Sequence, residues 1–229
     1  MSIMTRSSWL WLASCALLSY ASYESAYALS ADRVPPSLPR QFQADLLIVS
    51  HLTNPQQHYP HSRREIRIQY DYDQGIARAD MLKGYEVGKT YVRRYDQKCE
   101  YMVKQGKYRK CERAYLGDVM PTPEIPFEQQ FIGVEMVRGK PCEHWVHSYA
   151  TTRVHIYADE RSKVPLRLTE EVMVANEPTL MLTYDLRNVR LGPQNITNFQ
   201  VPGGYTHKEC TRNVDGFPYI HAFHYYLRF

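Results

Sequence analysis

The chain has 229 residues, of which 44% are hydrophobic and 23% are charged, with 19 Tyr and 11 Gly. This composition excludes collagen-like, low-complexity and mainly disordered proteins, and the length fits one main domain with a sizeable core. The net charge of +4 is small, and the basic residues are spread singly along the chain. A nucleic-acid partner is therefore not expected, because binding to phosphates needs a dense basic surface.

The first 28 residues have the three-part build of a secretory signal. Arg6 gives a short basic start, the apolar run from Trp9 to Leu18 follows, and Ala26-Tyr27-Ala28 offers a cleavage site, with Ser19-Tyr20-Ala21 as a competing one. The apolar run is too short to span a bilayer, which needs about twenty residues. We therefore expect secretion to the extracellular space or an endomembrane lumen, and a mature chain without a membrane span.

Strand patterns cover nearly all of the mature chain. Ile66, Ile68, Tyr70 and Tyr72 alternate with polar residues, which is the period-two pattern of a half-buried strand. Eight to ten such segments follow one another with short turns, and helical periodicity is almost missing. The sequence predicts a mainly β fold: a curved antiparallel sheet, either a half-barrel or an open barrel, that is disulfide-bonded and ends in a short C-terminal segment.

Four segments are predicted along the chain. Residues 1–28 are the signal peptide, and residues 29–41 are an extended leader whose prolines cannot join a central strand. Residues 42–210 form the β half-barrel domain, and residues 211–229 form the C-terminal segment. No repeat period appears, so repeat architectures are excluded.

The cysteines that follow the signal are even in number, as an oxidising compartment favours: Cys99, Cys111, Cys142 and Cys210. A three-residue hairpin turn at Lys104-Gln105-Gly106 would place Gly106 in a left-handed conformation and Cys99 opposite Cys111. This register predicts a Cys99–Cys111 bond and leaves Cys142 to pair with Cys210. Zinc binding is the alternative, but the chain has no C-x2-C pair.

One stretch, FIGVEMVRGKPCEHW from Phe131 to Trp145, combines a strand, a glycine turn and a C-x-x-W motif. It resembles the secreted ependymin-related group, whose fold is a curved sheet of the LolA-like half-barrel type. Residues 164–167 and 199–210 are also similar to the non-catalytic N-terminal region of counting-factor-associated papain-type proteases of protists. The resemblance covers residues 42–210. It implies a concave apolar face that holds a hydrophobic ligand, or a module that packs on a protease.

The sequence carries no catalytic motif, and we expect no enzymatic activity. A papain-type nucleophile needs a C-G-S-C-W context with His and Asn far downstream. The nearest imitation is Cys142 with His144, and a disulfide explains Cys142 better. The G-x-S-x-G, P-loop and H-E-x-x-H motifs are also missing.

Two H-x-x-H spacings are candidate metal sites. His144 and His147 lie on a predicted strand and should face opposite sides, whereas His221 and His224 share a face only if the C-terminal segment is helical. Since a third ligand cannot be identified, we expect neither a metal nor a cofactor. We interpret the acids near one predicted turn as solvated surface groups, since they form no calcium-binding loop: Asp71, Asp73 and Asp80.

Asn195-Ile196-Thr197 satisfies the N-glycosylation rule and follows Gly192-Pro193, so an exposed and glycosylated loop is predicted.

Tyrosines supply the main functional hypothesis. Several share one parity on neighbouring predicted strands: Tyr70, Tyr72, Tyr91, Tyr95 and Tyr101. Tyrosine gives a pocket apolar walls with a few hydroxyls, although ordinary core packing explains many of these residues as well. We predict that this chain is a secreted, non-catalytic protein that binds a hydrophobic, lipid-like ligand. The residues expected to bind it are Tyr70, Tyr72, Tyr91, Tyr95, Leu182 and Tyr184. The alternative is a protein-interaction module, associated with a protease or with the extracellular matrix.

Overall fold

The computed structural model describes residues 33–51, 62–84, 86–124, 128–175 and 177–217. The predicted signal peptide, most of the leader and the pair His221 and His224 lie outside the described residues. The chain divides into two compact units, Met1–Pro35 and Pro36–Phe229, and all strands of the described residues lie in the second.

The described residues form a mainly β protein with one curved, open sheet, as the sequence predicts, and the sheet has twelve strands where eight to ten were expected. The strands are β1 (Gln41–Ser50), β2 (Arg63–Asp71), β3 (Ile76–Lys83), β4 (Lys89–Arg94), β5 (Cys99–Lys104), β6 (Lys110–Tyr115), β7 (Gln130–Val137), β8 (Lys140–Tyr149), β9 (Thr152–Asp159), β10 (Pro165–Val174), β11 (Glu177–Leu191) and β12 (Thr211–Arg212). Helical structure in the described ranges is limited to 3-10 turns at Tyr95–Gln97, Ile196–Phe199, Pro202–Gly204 and His207–Glu209.

Two antiparallel meanders share the sheet, whose order is β12-β6-β5-β4-β3-β2-β1-β11-β10-β9-β8-β7. The first meander, β1 to β6, and the second, β7 to β11, meet where β1 pairs with β11. The chain must therefore pass from β6, next to one edge, to β7 at the other edge. Ten strand spacings make about 48 Å along the sheet, and the fourteen residues 116–129 reach about 50 Å when fully extended. We call this connection the crossing loop; the structure describes its residues 116–124 and 128–129.

Alternating burial along the strands sorts side chains onto two faces. The curled inner face holds the larger hydrophobic cluster, which extends from Ala114 on β6 across the sheet to Trp145 on β8. It includes two of the predicted stripes: Ile66, Ile68 and Tyr70 on β2, and Tyr184 and Leu186 on β11. The period-two pattern of the sequence is therefore the pattern of this inner face.

A second hydrophobic cluster lies on the outer face and contains Val92, Val103 and Tyr101. The 3-10 segments after β11 cover it, and Phe199 is buried there. Tyr101 is thus separated from the other predicted tyrosines, and its hydroxyl bonds to Nδ1 of His207 at 2.7 Å.

The predicted disulfide pairing is wrong. Cys111 is bonded to Cys210, with their Cα atoms 4.6 Å apart, and Cys99 and Cys142 carry free thiols. The hairpin closes with a five-residue loop instead of three, because Lys104 pairs with Lys110, so Val103 faces Cys111. Cys99 then lies opposite Tyr115, and the last 3-10 turn brings Cys210 to Cys111.

Asp71 also differs from the prediction, because it is fully buried rather than solvated. Its carboxylate accepts hydrogen bonds from the backbone amides of Gln74 and Gln194 at 3.0 Å each, and from the side chain of Gln41 at 3.1 Å. Burial opposes ionisation, but these hydrogen bonds outweigh it and lower the pKa of Asp71. Asp71 therefore joins the β2–β3 turn to β1 and to the chain after β11.

Candidate functional site

The inner face brings together all six residues that the sequence singled out for ligand binding. Tyr70, Tyr91 and Tyr184 are buried members of the inner cluster, and three others pack against it with partial exposure: Tyr72, Tyr95 and Leu182. They come from β2, β4 and β11 and from the residues just after β2 and β4. Side chains far apart in the chain thus line one surface.

Parts of the chain itself cover the first meander. The hydroxyl of Tyr70 donates to the carbonyl of Pro121 in the crossing loop at 2.6 Å, and the amide of Leu38 donates to the carbonyl of Pro123 at 3.0 Å. Further along, the ring of Phe217 packs edge-on against Tyr91, with centroids 6.1 Å apart. This half of the inner face is therefore closed by the leader, the crossing loop and the segment at Phe217.

A buried ion pair fixes one of these covers. Arg93 donates from Nε to Glu100 at 3.0 Å, and the other oxygen of Glu100 accepts from the amide of Phe217 at 3.2 Å. Burial raises the pKa of Glu100, since removal from water penalises its charged form. The pair holds the Phe217 segment in place over β4 and β5.

The second meander leaves part of the inner face open to solvent. On the edge strand β7, Ile132, Val134 and Met136 are 51%, 47% and 68% exposed. Val134 faces Glu143 and Met136 faces Pro141, which places both on the same side of β8 as Trp145. The inner cluster reaches β7 through Phe131, and beside it Val134 and Met136 on the inner side and Ile132 in the bulge are exposed at the edge of the sheet.

Several polar side-chain atoms near this open part are buried, and two of them concern a ligand. Nε1 of Trp145, a residue only 2% exposed, and Oε2 of Glu170 have no hydrogen-bond partner in the described ranges. Glu170 pairs with Val154 and Leu182, so it faces inward, and burial raises its pKa. An unpaired buried polar group costs about 1–3 kcal/mol, so a partner that a ligand supplied would be favourable.

The outer face of the second meander carries a chain of four titratable side chains that sequence reasoning missed. Glu135 Oε1 lies 2.6 Å from Nδ1 of His144, whose Nε2 lies 2.9 Å from Nδ1 of His155. Nε2 of His155 then lies 3.2 Å from Oε2 of Glu171. Each member comes from a different one of the neighbouring strands β7 to β10, and Tyr157 stacks on His144 with centroids 4.5 Å apart.

These side-chain contacts limit the chemistry that is open to His144. Burial lowers the pKa of His144 although Glu135 acts in the opposite direction. Both ring nitrogens are occupied by Glu135 and His155, so neither is free to take a proton from Cys142. Cys142 is itself fully buried, and burial raises the pKa of its thiol, which disfavours the nucleophilic thiolate.

No cluster of three or more His, Cys, Asp or Glu side chains in the described ranges has an arrangement that could hold a metal ion. His147 lies three residues beyond His144 on β8 and contacts the carbonyl of Glu128 at 2.9 Å, apart from the outer-face chain. Among the described residues, no helix is long and apolar enough to cross a membrane.

Solved structures resemble this chain at low sequence identity. An uncharacterised conserved protein from Thermus thermophilus is 11% identical with a TM-score of 0.50, and the match covers 77% of this chain and 92% of that one. A LolA superfamily protein from Nitrosomonas europaea is 10% identical with a TM-score of 0.34, over 74% of this chain and 92% of that one. MucB of Pseudomonas aeruginosa, in complex with MucA, is 12% identical with a TM-score of 0.44, over 70% and 55% of the two chains.

No family model and no curated protein matches the sequence. The likeness to the Thermus protein shows the fold alone: a curved, open, antiparallel sheet with one inner apolar face. The resemblance to the ependymin-related group stays a prediction that rests on the motif from Phe131 to Trp145.

Proposed function

We propose that this protein is a secreted, non-catalytic binder of a hydrophobic, lipid-like ligand, which lies on the inner face of the half-barrel. One observation carries the proposal: the inner apolar cluster continues to the sheet edge, where Ile132, Val134 and Met136 are exposed. A soluble sheet normally faces water with polar residues, so an apolar surface of this kind favours an occupant.

The energetics favour a ligand with a long apolar part. An acyl chain that covers roughly 200 Å² of apolar surface on β7, β8 and β11 gains about 5 kcal/mol before the cost of association. The unpaired Nε1 of Trp145 offers a donor, and Glu170, whose pKa is raised by burial, offers an uncharged carboxyl. Together these groups favour an amphiphile with a hydroxyl or carbonyl over a pure hydrocarbon.

Other features support the compartment and the absence of catalysis. The Cys111–Cys210 disulfide suits an oxidising route. Asn195 is exposed, as a glycosylation acceptor must be. Cys142 is buried and lacks an imidazole base, which argues against a papain-like reaction.

A second candidate function is a protein-interaction module. The observation that favours it is the same β7, since it is an edge strand of the sheet and carries exposed apolar side chains. Edge strands can accept another chain by strand addition, and under this function the partner is a protease or a matrix protein.

The test uses the full mature protein after removal of bound lipid. A hydrophobic dye should bind and should be displaced by a long-chain fatty acid. Val134→Asp puts a charge on the open inner face and should abolish binding, whereas Val87→Asp, at an exposed turn, serves as the matched control. If folded, lipid-free protein binds neither dye nor fatty acid, the ligand hypothesis is wrong and the interaction module replaces it.

A further inference from the structure

We propose that a cationic notch at one end of the sheet binds a phosphate or carboxylate group carried on an apolar body. The notch is lined by Arg138, Lys140, Arg187, Leu166, Leu186 and Val189 and has a volume of about 570 Å³. Leu186 and Val189 connect the notch to the inner cluster, but Ile132, Val134 and Met136 are not among its lining residues, so the proposal does not depend on the proposed lipid site.

The notch exists because neighbouring strands end at different levels. β11 continues to Leu191, but its pairing with β10 stops where Arg167 faces Asp185. Beyond that point one side of β11 has no β10 residue beside it. The tight β7–β8 turn, with positive φ at Arg138 and Gly139, closes the open side.

Arg138 is held rigidly in this space. Its Nη2 donates to the carbonyl of Leu166 at 3.0 Å and to the carbonyl of Leu186 at 2.8 Å. A guanidinium that is fixed by two backbone carbonyls loses little side-chain freedom when an anion arrives. Nη2 is committed to these carbonyls, so Nη1 is the group that would donate to an oxygen of phosphate or carboxylate.

Positive charge exceeds negative charge around the notch. Asp185 is buried and accepts a two-fold hydrogen bond from Arg167, at 2.7 and 3.1 Å. The same carboxylate also faces Arg187 at 3.2 Å and Arg138 at 3.9 Å. One carboxylate therefore serves three guanidinium groups and cannot neutralise them.

Lys140 adds a fourth cation, and its ammonium lies 3.9 Å from Asp159. Asp159 already accepts from the backbone amides of Arg161 and Ser162 and from the Ser162 hydroxyl. These four cations face the carboxylates of Asp185 and Asp159. A third carboxylate, that of Asp45 opposite Arg187, is already paired with Arg67 at 3.0 Å, so positive charge stays in excess and favours an anion.

Apolar side chains complete the site. Leu166 and Leu186 are buried, and Val189 is partly buried against the inner cluster. The volume falls in the range of small-molecule sites and exceeds what a phosphate ion needs. An apolar floor below a cationic rim thus selects an anion attached to an apolar group, which is the chemistry of an organic phosphate or of an acidic lipid headgroup.

Phenyl phosphate is a suitable probe, with inorganic phosphate and phenol as its two separate parts. Calorimetric titration of the full mature protein should show one site for phenyl phosphate and much weaker binding of either part. Arg187→Gln and Lys140→Gln should each weaken binding about fivefold, since each removes one partly exposed charge and neither residue holds the backbone. Arg212→Gln, on the distant strand β12, is the matched control.

Further measurements distinguish a free organic phosphate from a lipid headgroup, and the notch from the proposed lipid site. If phenyl phosphate fails to bind at millimolar concentration, or if the double variant Lys140→Gln/Arg187→Gln binds it as the native protein does, the proposal is wrong. It is also wrong if inorganic phosphate binds as tightly, because the apolar floor then takes no part. Vesicles with an acidic phospholipid test the headgroup source, and Val134→Asp, which removes the proposed lipid site, should leave phenyl phosphate binding unchanged.

Discussion

Nε2 of His144 and Nδ1 of His155 lie 2.9 Å apart, a distance that fits one hydrogen bond and therefore one proton between the rings. Their outer nitrogens face the carboxylates of Glu135 and Glu171. Two neutral rings carry two N–H protons for these three contacts. Protonation of both rings would set two N–H groups against each other between them.

The first prediction concerns pH. Burial lowers the pKa of His144 in the folded protein, so the unfolded chain takes up this proton at higher pH. The free energy of unfolding should therefore fall as the pH drops below about 6.5, the ordinary histidine value, and through the lower folded pKa. Urea unfolding of the native protein and of His144→Gln, at about pH 7 and about pH 5, measures this. Equal losses of stability in both proteins would contradict the prediction.

The second prediction concerns the disulfide, whose two cysteines are 99 residues apart in sequence. Cys111→Ser should lower the free energy of unfolding by about 2–4 kcal/mol, because the unfolded chain regains the freedom of a long loop. Denaturant unfolding measures the change, and Cys99→Ser, at a free thiol, is the control. Peptide mapping without reductant should link Cys111 to Cys210, and a peptide joining Cys99 to Cys111 would show that the assigned pairing is wrong.

The third prediction concerns Trp145, whose Nε1 is buried without a partner in the described ranges. Trp145→Phe should change the free energy of unfolding by less than about 1.5 kcal/mol, since Phe keeps most apolar contacts and leaves no donor unpaired. It should nevertheless weaken binding of an amphiphile that carries an acceptor. A fatty alcohol and an alkane of equal length, titrated against both proteins, compare these effects, and equal losses for both ligands would rule out a donor role.

The same residue offers a direct signal. Trp9 and Trp11 lie within the predicted signal peptide, so Trp145 would be the only tryptophan of the mature chain. Its fluorescence should therefore report on ligands at the inner face.

The fourth prediction concerns the cover at Phe217. Phe217→Ala removes the ring that packs on Tyr91 and should lower the free energy of unfolding by about 3 kcal/mol. Dye binding to lipid-free protein should increase, because the inner face of the first meander loses its cover. Phe217→Leu keeps an apolar cover and should bind dye as the native protein does. Unchanged dye binding in the folded Ala variant would show that this segment does not limit access.

The fifth prediction concerns glycosylation. Oδ1 of Asn195 accepts from the hydroxyl of Thr197 at 2.9 Å, and both residues are exposed. Protein made in a eukaryotic secretory host should carry one N-glycan at Asn195, which Asn195→Gln and Thr197→Ala should both remove. Mass spectrometry before and after glycosidase treatment detects the glycan. An unmodified Asn195 peptide in the native protein would refute the prediction.

The inner face was predictable because period-two burial is a local property of each strand. Tyr70, Tyr91 and Tyr184 each follow the parity of their own strand, and neighbouring strands add their stripes to one surface. The disulfide was not predictable in this way. Gly106 has the expected positive φ, but the same glycine fits a three-residue and a five-residue loop, and only the second gives the observed register.

The outer-face histidine chain depends on the pairing of four strands and on a bulge near Gly133. His144 contacts His155 diagonally, since its direct opposite is Tyr157, so sequence spacing alone could not join them. The cationic notch is similarly hidden, because it arises from the different lengths of β10 and β11. Local patterns thus determine faces, whereas registers and strand ends determine which polar groups meet.

The crossing loop also divides the molecule into two complementary fragments. Asp118 and Val119 are exposed at its start, so a protease that cuts there would separate β1–β6 from β7–β12. The fragments would still share the long β1–β11 ladder, and the Cys111–Cys210 bond joins one to the other. A nicked molecule would therefore migrate as one species until it is reduced, and the two halves could be produced apart and reassembled along β1 and β11.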